Sequence, residues 1–344
     1  MSEIPSVPPS GADLAGDADV SPAPAQLAPS EVTRRGRRSR RVQRVTCWAV
    51  GLLLVVLAGR AIDRSLRPQL RGTELQVGTR PTLESRRGDA ITARLDRPRA
   101  ADEHPLAPAI EVAKAALQYF RENVRDYTAV FIKQERVGEQ LAESQQCFLK
   151  IRQAAERDGQ AVPFSVYLRF QEPDSVAGRE VIYVAGHNQG RLTAHEGGLL
   201  GLATVHLAPT SKLAMRGNRY PITEIGIETM IRRMIEKGER DARLQDCQVT
   251  INRDLTVGGH PATQIEIKHP EPSAALDFHI ARILIDDALN VPIAYESYAW
   301  PRAPGADPEL LERYQYANLQ LNVGLTDRDF DTSNAEYAFP WAGR

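Results

Sequence analysis

The spacing of apolar residues changes from helical to alternating in the C-terminal part of the chain. Apolar residues at helical spacing predict amphipathic helices over residues 107–125 and near Ile225–Glu239. Elsewhere apolar and polar residues alternate, which is typical of half-buried strands. The alternation predicts ten strands: Tyr127–Arg136, Ser144–Gln153, Phe164–Phe170, Glu180–Ala185, Gly190–Ala194, Gln248–Leu255, Thr263–Lys268, His279–Asp286, Pro292–Ala299 and Arg313–Val323.

The order of these elements predicts the fold class. One helix precedes the strands and the other interrupts them, without the strand–helix alternation or Gly-rich phosphate loop of doubly wound folds. We therefore expect an α+β fold in which a curved antiparallel sheet of about ten strands has one face covered by helices.

A basic cluster followed by an uncharged run dominates the N-terminal region. Residues 1–44 are rich in proline and small polar residues and end in seven arginines within residues 34–44, which predicts a disordered tail. The uncharged run Val45–Gly59 follows, and with Ala61 and Ile62 it predicts a transmembrane signal anchor over residues 45–62. A cleaved signal peptide and a buried core helix are the two alternatives.

The distribution of positive charge predicts the orientation of this segment. More arginines precede the run than closely follow it, which favours a cytoplasmic N-terminus and an exported C-terminal region. The sequence thus predicts a single-pass protein of the bacterial inner membrane. Residues 63–104 would form a flexible basic linker, and residues 105–344 a periplasmic domain.

Composition and the cysteine count narrow the function classes. The net charge of -1 gives no overall basic excess, so a nucleic-acid partner is not indicated. Three cysteines are too few for a disulfide scaffold. Cys147 and Cys247 would be able to form one disulfide in an exported domain, and two independent thiols are the alternative.

Motifs for catalysis and metal binding are missing from the sequence. His187, His195 and His206 have spacings that match no zinc motif, and the acidic residues of 327–331 depart from a calcium loop and predict a turn. We therefore predict no enzyme activity, no metal and no cofactor. A hydrolase, the least favoured alternative, would need a cleft in which His187 or His195 meets an acidic residue.

Three segments resemble a known family. Pro163–Leu168, Gly178–Tyr183 and the closing stretch Tyr314–Phe339 are similar to DUF1571, a bacterial family of unknown function found largely in planctomycetes. The resemblance implies the fold of periplasmic lipoprotein carriers and RseB-type sensors, a half-barrel of antiparallel strands closed by helices around an apolar cavity. It brings no catalytic residues.

Aromatic residues on the predicted strands are candidates for lining such a cavity. Some must pack the core, and the rest would face a ligand. Arg179 would either bind the carboxylate or phosphate of a head group or form a structural ion pair at a strand end. The cavity candidates are Phe131, Phe148, Tyr167, Tyr183, Arg179 and Tyr295.

These features lead to one functional hypothesis and an alternative to it. The leading hypothesis is a membrane-anchored, non-catalytic periplasmic domain that binds a lipid, an acyl chain or a lipoprotein segment. The alternative is a structural or sensory interaction module of the cell envelope.

Overall fold

A computed structural model describes residues 77–79, 90–157, 159–198, 203–244 and 247–340. All of them belong to the second of two compact units, which spans residues 72–344. The predicted disordered tail, the predicted anchor at 45–62 and most of the predicted linker lie outside the described residues. Within the described ranges, no helix combines the length and the apolar composition needed to cross a membrane.

Two α-helices form where the apolar residues have helical spacing. Helix α1 spans Ala107–Asn123 and has a proline in its first turn, where no backbone N–H is needed. Its residues Val112, Ala116 and Phe120 recur every four positions and are buried on one face. Helix α2 spans Ile227–Asp241 and likewise buries an apolar face against the core.

Strands make up most of the regular secondary structure in the described residues. All ten predicted strands are present, and the structure adds five short ones, β1, β3, β5, β6 and β10. The strands are β1 (Val77–Thr79), β2 (Asp126–Val137), β3 (Gln140–Leu141), β4 (Gln145–Arg152), β5 (Ala155–Arg157), β6 (Gln160–Val162), β7 (Ser165–Glu172), β8 (Glu180–Val184), β9 (Leu192–His195), β10 (Thr204–Leu207), β11 (Gln248–Val257), β12 (His260–Lys268), β13 (Ile280–Asp286), β14 (Val291–Tyr298) and β15 (Leu310–Leu321).

Two meanders combine into one large curved antiparallel sheet. The strand order is β1-β11-β12-β13-β14-β15-β2-β4-β7-β8-β9-β10, with β3 paired to β2 and a separate β5–β6 hairpin. The last strand, β15, pairs with the first long strand, β2, and so joins the two meanders. The prediction of an α+β fold with a curved antiparallel sheet is confirmed.

The two faces of the sheet have different coverings. Alternate side chains of each strand, among them Phe131, Leu149 and Val166, pack with α1 and α2 in the main core. The opposite face of β7 and β8 is covered by the C-terminal segment 322–340, where Phe330 and Phe339 join a second apolar cluster. Each face therefore has its own set of apolar residues.

The C-terminal segment follows β15 through a capped turn. The 3-10 turn Asp327–Phe330 has a capping box between Thr326 and Asp329, which confirms the turn predicted for these acidic residues. Farther along, the ring of Tyr337 stacks on Tyr167 of β7 with ring centroids 4.0 Å apart.

Residues 90–104 differ from the predicted flexible linker. The 3-10 turn Ile91–Asp96 buries Leu95 in the main core. The Oγ1 hydroxyl of Thr92 donates to the carboxylate of Asp287 at 2.7 Å, and the backbone N–H of Ile91 donates to Asn290 at 2.9 Å. These contacts fix the segment to the β13–β14 turn, so the linker prediction is wrong for these residues.

Candidate functional site

A cavity of about 850 Å3 lies between the inner face of the sheet, helix α2 and the segment 203–226. Its volume falls within the ~300–1,000 Å3 range of small-molecule pockets. Residues from eight neighbouring strands, β14, β15, β2, β4, β7, β8, β9 and β10, contribute to the wall. The cavity therefore runs across the sheet and not along one strand.

The part of the cavity formed by β7 to β10 is mostly apolar, with His195 of β9 and the flanking residues Arg179 and Glu196 as polar exceptions. Successive side chains of a strand point to opposite faces, so every second residue of these strands reaches the cavity. Those residues are Leu168, Phe170, Val181, Leu192, Ala194, Val205 and Leu207. Met230 and Met234 of α2 add flexible apolar side chains to the same cavity.

The part formed by β2, β14 and β15 is polar. Charged and hydroxyl-bearing side chains of these strands, of α2 and of the preceding segment converge there. They are Lys133, Glu135, Asn218, Tyr220, Lys237, Tyr295, Glu312 and Tyr314. The cavity is thus amphipathic, with a change of polarity from one part of the sheet to the other.

Two carboxylates face each other in the polar end. Glu135 of β2 and Glu312 of β15 are directly opposed in the strand register, and both are buried. Like charges in this position repel each other and destabilise a sheet. The hydroxyl of Tyr314 contacts both, at 2.5 Å from Oε1 of Glu135 and 3.3 Å from Oε2 of Glu312.

Three cations surround the carboxylate pair. Nζ of Lys133 donates to Oε2 of Glu135 at 3.3 Å, and Nε of Arg219 lies 3.2 Å from Oε2 of Glu312. Nζ of Lys237 lies 3.6 Å from Oε1 of Glu312. The three cations offset the repulsion between the two carboxylates, and Lys237 also lies 3.5 Å from the carboxylate of Asp277, so the charges of the polar end are balanced.

The same environment changes the pKa values of neighbouring groups. Burial, together with the charges of Glu312 and Glu135, raises the pKa of Tyr314 far above its usual value. Burial raises the pKa of Tyr295 to about 12. Burial acts to lower the pKa of Lys237, but Tyr295, Glu312 and other acidic groups raise it by more, so the net change is upward. The tyrosines are therefore neutral donors and Lys237 is charged at neutral pH.

Three of the six predicted cavity residues line the cavity, and these are Phe131, Arg179 and Tyr295. Tyr183 faces the same side of the sheet but is packed in the main core. Phe148 and Tyr167 have the opposite parity on their strands and pack with the C-terminal segment on the other face. Their aromatic character made them candidates, but residue type alone does not indicate the face on which each side chain lies.

Arg179 forms the ion pair that was one of its two predicted roles. Its Nε lies 3.0 and 3.1 Å from the two carboxylate oxygens of Glu196, a surface-exposed residue. The following residue, Glu180, is fully buried on the other face and accepts hydrogen bonds from the hydroxyl of Tyr167 at 3.0 Å and the backbone N–H of Ala338 at 2.9 Å.

His195 meets the acidic residue that the hydrolase alternative required. Its Nε2 lies 3.1 Å from Oε2 of Glu180, and its Nδ1 lies 2.7 Å from the backbone carbonyl oxygen of Glu196. Both ring nitrogens are therefore engaged, which leaves none to act as a base on a substrate. Among the residues that the structure describes, no cluster of His, Cys, Asp and Glu has the arrangement of a metal site.

Of the two possibilities for Cys147 and Cys247, the structure has two separate thiols and no disulfide between them. Cys147 lies on β4, while Cys247 directly precedes β11, and five strands separate β4 from β11 in the sheet. At a strand spacing of about 4.8 Å, the two positions are far beyond disulfide reach. The thiol of Cys147 lies 3.6 Å from the carbonyl oxygen of Phe131, and burial raises its pKa to about 12.

The polar end was missed in the sequence, although a signal for it was present. Phe131, Lys133 and Glu135 have the same parity on one strand, so two charged residues share the inward face of an apolar residue. Charged residues at inward positions are unusual in a core and indicate a polar site when they are paired.

The fold and the site together define a β-rich domain with an amphipathic internal cavity. The chain belongs to the DUF1571 family, a protein family of unknown function, whose model matches residues 124–339. The resemblance seen in the sequence is thereby confirmed. No curated protein matches the chain significantly in sequence.

Solved structures with a partly similar fold come from several bacteria. A DUF1329 family protein from Desulfovibrio piger is 12% identical, covers 67% of this chain and 98% of its own, and has a TM-score of 0.33. A putative outer membrane lipoprotein-sorting protein domain from Vibrio parahaemolyticus is 12% identical, with coverages of 64% and 95% and a TM-score of 0.31. A LolA superfamily protein from Nitrosomonas europaea is 8% identical, with coverages of 64% and 97% and a TM-score of 0.26. TM-scores below 0.5 do not establish a shared function.

Proposed function

We propose that this domain binds a lipid, an acyl chain or the acylated segment of a lipoprotein inside the cavity, without catalysis. The cavity of about 850 Å3 with one apolar and one polar end carries the proposal. Burial of an acyl chain against the residues of β7 to β10 would contribute about 0.8 kcal/mol per methylene group. The sequence adds the location, a periplasmic domain held at the inner membrane by the predicted anchor at 45–62.

Blocking the apolar end is the direct test. Leu168 faces the cavity from β7, and its neighbour Arg169 lies on the opposite face with about half of its side chain exposed. We expect Leu168→Trp to weaken binding of a fluorescent acyl probe by the full-length protein at least about tenfold, because the larger ring occupies the space of the chain. Arg169→Trp is the matched control and should bind the probe as the original protein does.

The lipids that accompany the purified protein give an independent measurement. Extraction of the full-length protein and mass spectrometry should recover an acyl-containing molecule that Leu168→Trp carries in reduced amount. A protein that binds no acyl probe and carries the same lipids with either tryptophan would disprove the proposal.

Contact with a partner protein is a second candidate function, favoured by exposed apolar residues that border the cavity. Val205 and Leu213 have 42% and 59% of their surface exposed and both border the cavity. Among the described strands, β10 is the edge of the sheet, so an extended segment of a partner would be able to pair with it. Cross-linking of an envelope protein at position 205, retained in Leu168→Trp, would support this candidate over acyl binding.

A further inference from the structure

Two donors in the polar end of the cavity lack well-formed hydrogen bonds within the described residues. The hydroxyl of Tyr295 is buried and meets the geometric criteria for a hydrogen bond with none of them, although the side chain of Ser297 lies close enough to lower its pKa. Nζ of Lys237 lies 3.5 Å from Asp277 and 3.6 Å from Glu312, distances that are longer than those of good N–H···O hydrogen bonds. Both side chains line the cavity, and the ammonium group lies 5.9 Å from the centroid of the Tyr295 ring.

Most of the other cations at or beside the cavity are already engaged, while Arg216 lines the cavity with an exposed side chain. Lys133 contacts Glu135 and donates to Asn218, and Arg219 pairs with Glu312. Arg233 pairs with Glu224, and Arg179 with Glu196, as described above. Lys237, whose two contacts with carboxylates are both long, is therefore the cation of the polar end with the weakest hydrogen bonding, and it lies beside the hydroxyl of Tyr295.

An unpartnered buried hydroxyl next to an incompletely bonded ammonium group indicates a missing acceptor. A buried donor without a partner costs free energy, and such groups in folded proteins call for a physical explanation. An anionic oxygen would accept a charge-assisted hydrogen bond from the ammonium group and a second hydrogen bond from the hydroxyl. Glu312 does not oppose it strongly, because three other donors, from Tyr220, Tyr314 and Arg219, already contact its Oε2.

We propose that the polar end binds the anionic oxygen head group of a single-chain amphiphile, a carboxylate or a phosphate monoester, through Lys237 and Tyr295. The acyl chain then lies against the apolar residues of β7 to β10. This inference rests on the proposed function and adds the chemistry of the head group to it. Because the carboxylates of Glu312 and Asp277 already lie close to Lys237, they oppose a carboxylate ligand less than a dianionic phosphate.

Four ligands with the same sixteen-carbon chain and different head groups distinguish recognition of the head group from burial of the chain. We expect the full-length protein to bind palmitate more tightly than hexadecanol or hexadecylamine in a calorimetric titration. Hexadecyl phosphate tests whether the head group is a phosphate monoester and not a carboxylate. Preference for palmitate or for hexadecyl phosphate supports the inference and identifies the source. Equal affinities for palmitate and hexadecanol, or a preference for hexadecylamine, would overturn the inference about the head group and leave the proposed function intact. Failure of all four to bind would count against both.

Variants of Lys237 and Tyr295 test whether these two residues cause the preference for an anionic head group. Lys237→Met should weaken palmitate binding about ten- to a hundredfold and leave hexadecanol binding within about threefold, because only the charge-assisted bonds are lost. Lys114→Met removes a lysine that forms an exposed ion pair with Glu239 on the helices, and it is the matched control. Palmitate affinities that are equal in the two variants would refute the role of Lys237.

Tyr295→Phe separates ligand binding from folding. Because its hydroxyl makes no well-formed hydrogen bond to the residues that the structure describes, its removal should not lower the thermal unfolding midpoint of the ligand-free protein. It should weaken palmitate binding about three- to tenfold. Loss of stability without loss of affinity would show that the hydroxyl has a structural role and would refute the assignment.

Discussion

The carboxylates of Glu135 and Glu312 lie on directly opposed residues of adjacent strands, and the hydroxyl of Tyr314 contacts both of them. Two like charges in the buried wall of a cavity are stable only where donors and cations surround them. This pair therefore makes the stability of the sheet depend on the same residues that give the cavity its polar end.

Removal of the Tyr314 hydroxyl should destabilise the fold. Tyr314→Phe leaves Oε1 of the buried Glu135 without the hydroxyl that contacts it at 2.5 Å. We expect the free energy of unfolding to fall by about 1–3 kcal/mol, measured by urea denaturation. Tyr295→Phe, which removes an unpartnered hydroxyl from the same site, is the control. Equal stability of the two variants would contradict the prediction.

Alkaline pH should destabilise the protein through its buried tyrosines. The pKa of Tyr295 is about 12 in the folded protein, because of burial, and about 10 in an unfolded chain. The unfolded state therefore loses its proton first, and the stability that is present below pH ~10 is lost as the pH rises through ~12. In urea titrations of Tyr295→Phe between pH ~10 and pH ~12, the free energy of unfolding should fall less steeply with pH, by up to about 1.4 kcal/mol per pH unit. An unchanged slope would contradict the assignment to Tyr295.

Cys147 should be unreactive in the folded protein. Its thiol is buried and its pKa is raised to about 12, so at pH 8 the thiolate fraction is on the order of one in ten thousand. We expect iodoacetamide to leave this residue unmodified under native conditions and to modify it fully in urea. Mass spectrometry of unreduced peptides should find no link between Cys147 and Cys247, and a linked peptide would disprove their separation in the sheet.

The buried carboxylate of Glu180 should hold the C-terminal segment on the sheet. Glu180→Gln disturbs its contacts with Tyr167, His195 and the backbone of Ala338, and we expect a loss of about 2–4 kcal/mol in urea denaturation. Limited proteolysis should then cut the segment after residue 330 sooner. Glu196→Gln breaks an exposed ion pair on the same edge and should cost about 1 kcal/mol or less. Similar losses in both variants would show that burial of Glu180 is unimportant.

The periodicity of the sequence was sufficient for the helices and the long strands. Phe120 of α1 and Ile231 of α2 lie on the buried faces that helical spacing predicts. The short strands were missed because two to four residues carry too little alternation to distinguish them from loops. The antiparallel class of the sheet followed from the order of the elements.

The residues of the site were harder to predict. Tyr167 and Arg179 were both candidates, yet Tyr167 lies under the C-terminal segment and only Arg179 lines the cavity. Which face of a strand becomes the inside depends on what packs against it, and the packing segment comes from a distant part of the chain. The alternation along each strand divides its residues into two sets on opposite faces, but it does not indicate which set faces the inside of the domain.

The sequence by itself determined the alternation of faces, the two amphipathic helices and membership of the family, because each depends on local spacing or on matching residues. The tertiary structure alone decided that Glu135 and Glu312 oppose each other, that Lys237 and Tyr295 meet beside them, and that Cys147 and Cys247 do not meet. These relationships depend on the pairing of β15 with β2 and on the docking of α2, which are long-range contacts that residue spacing along the chain does not encode.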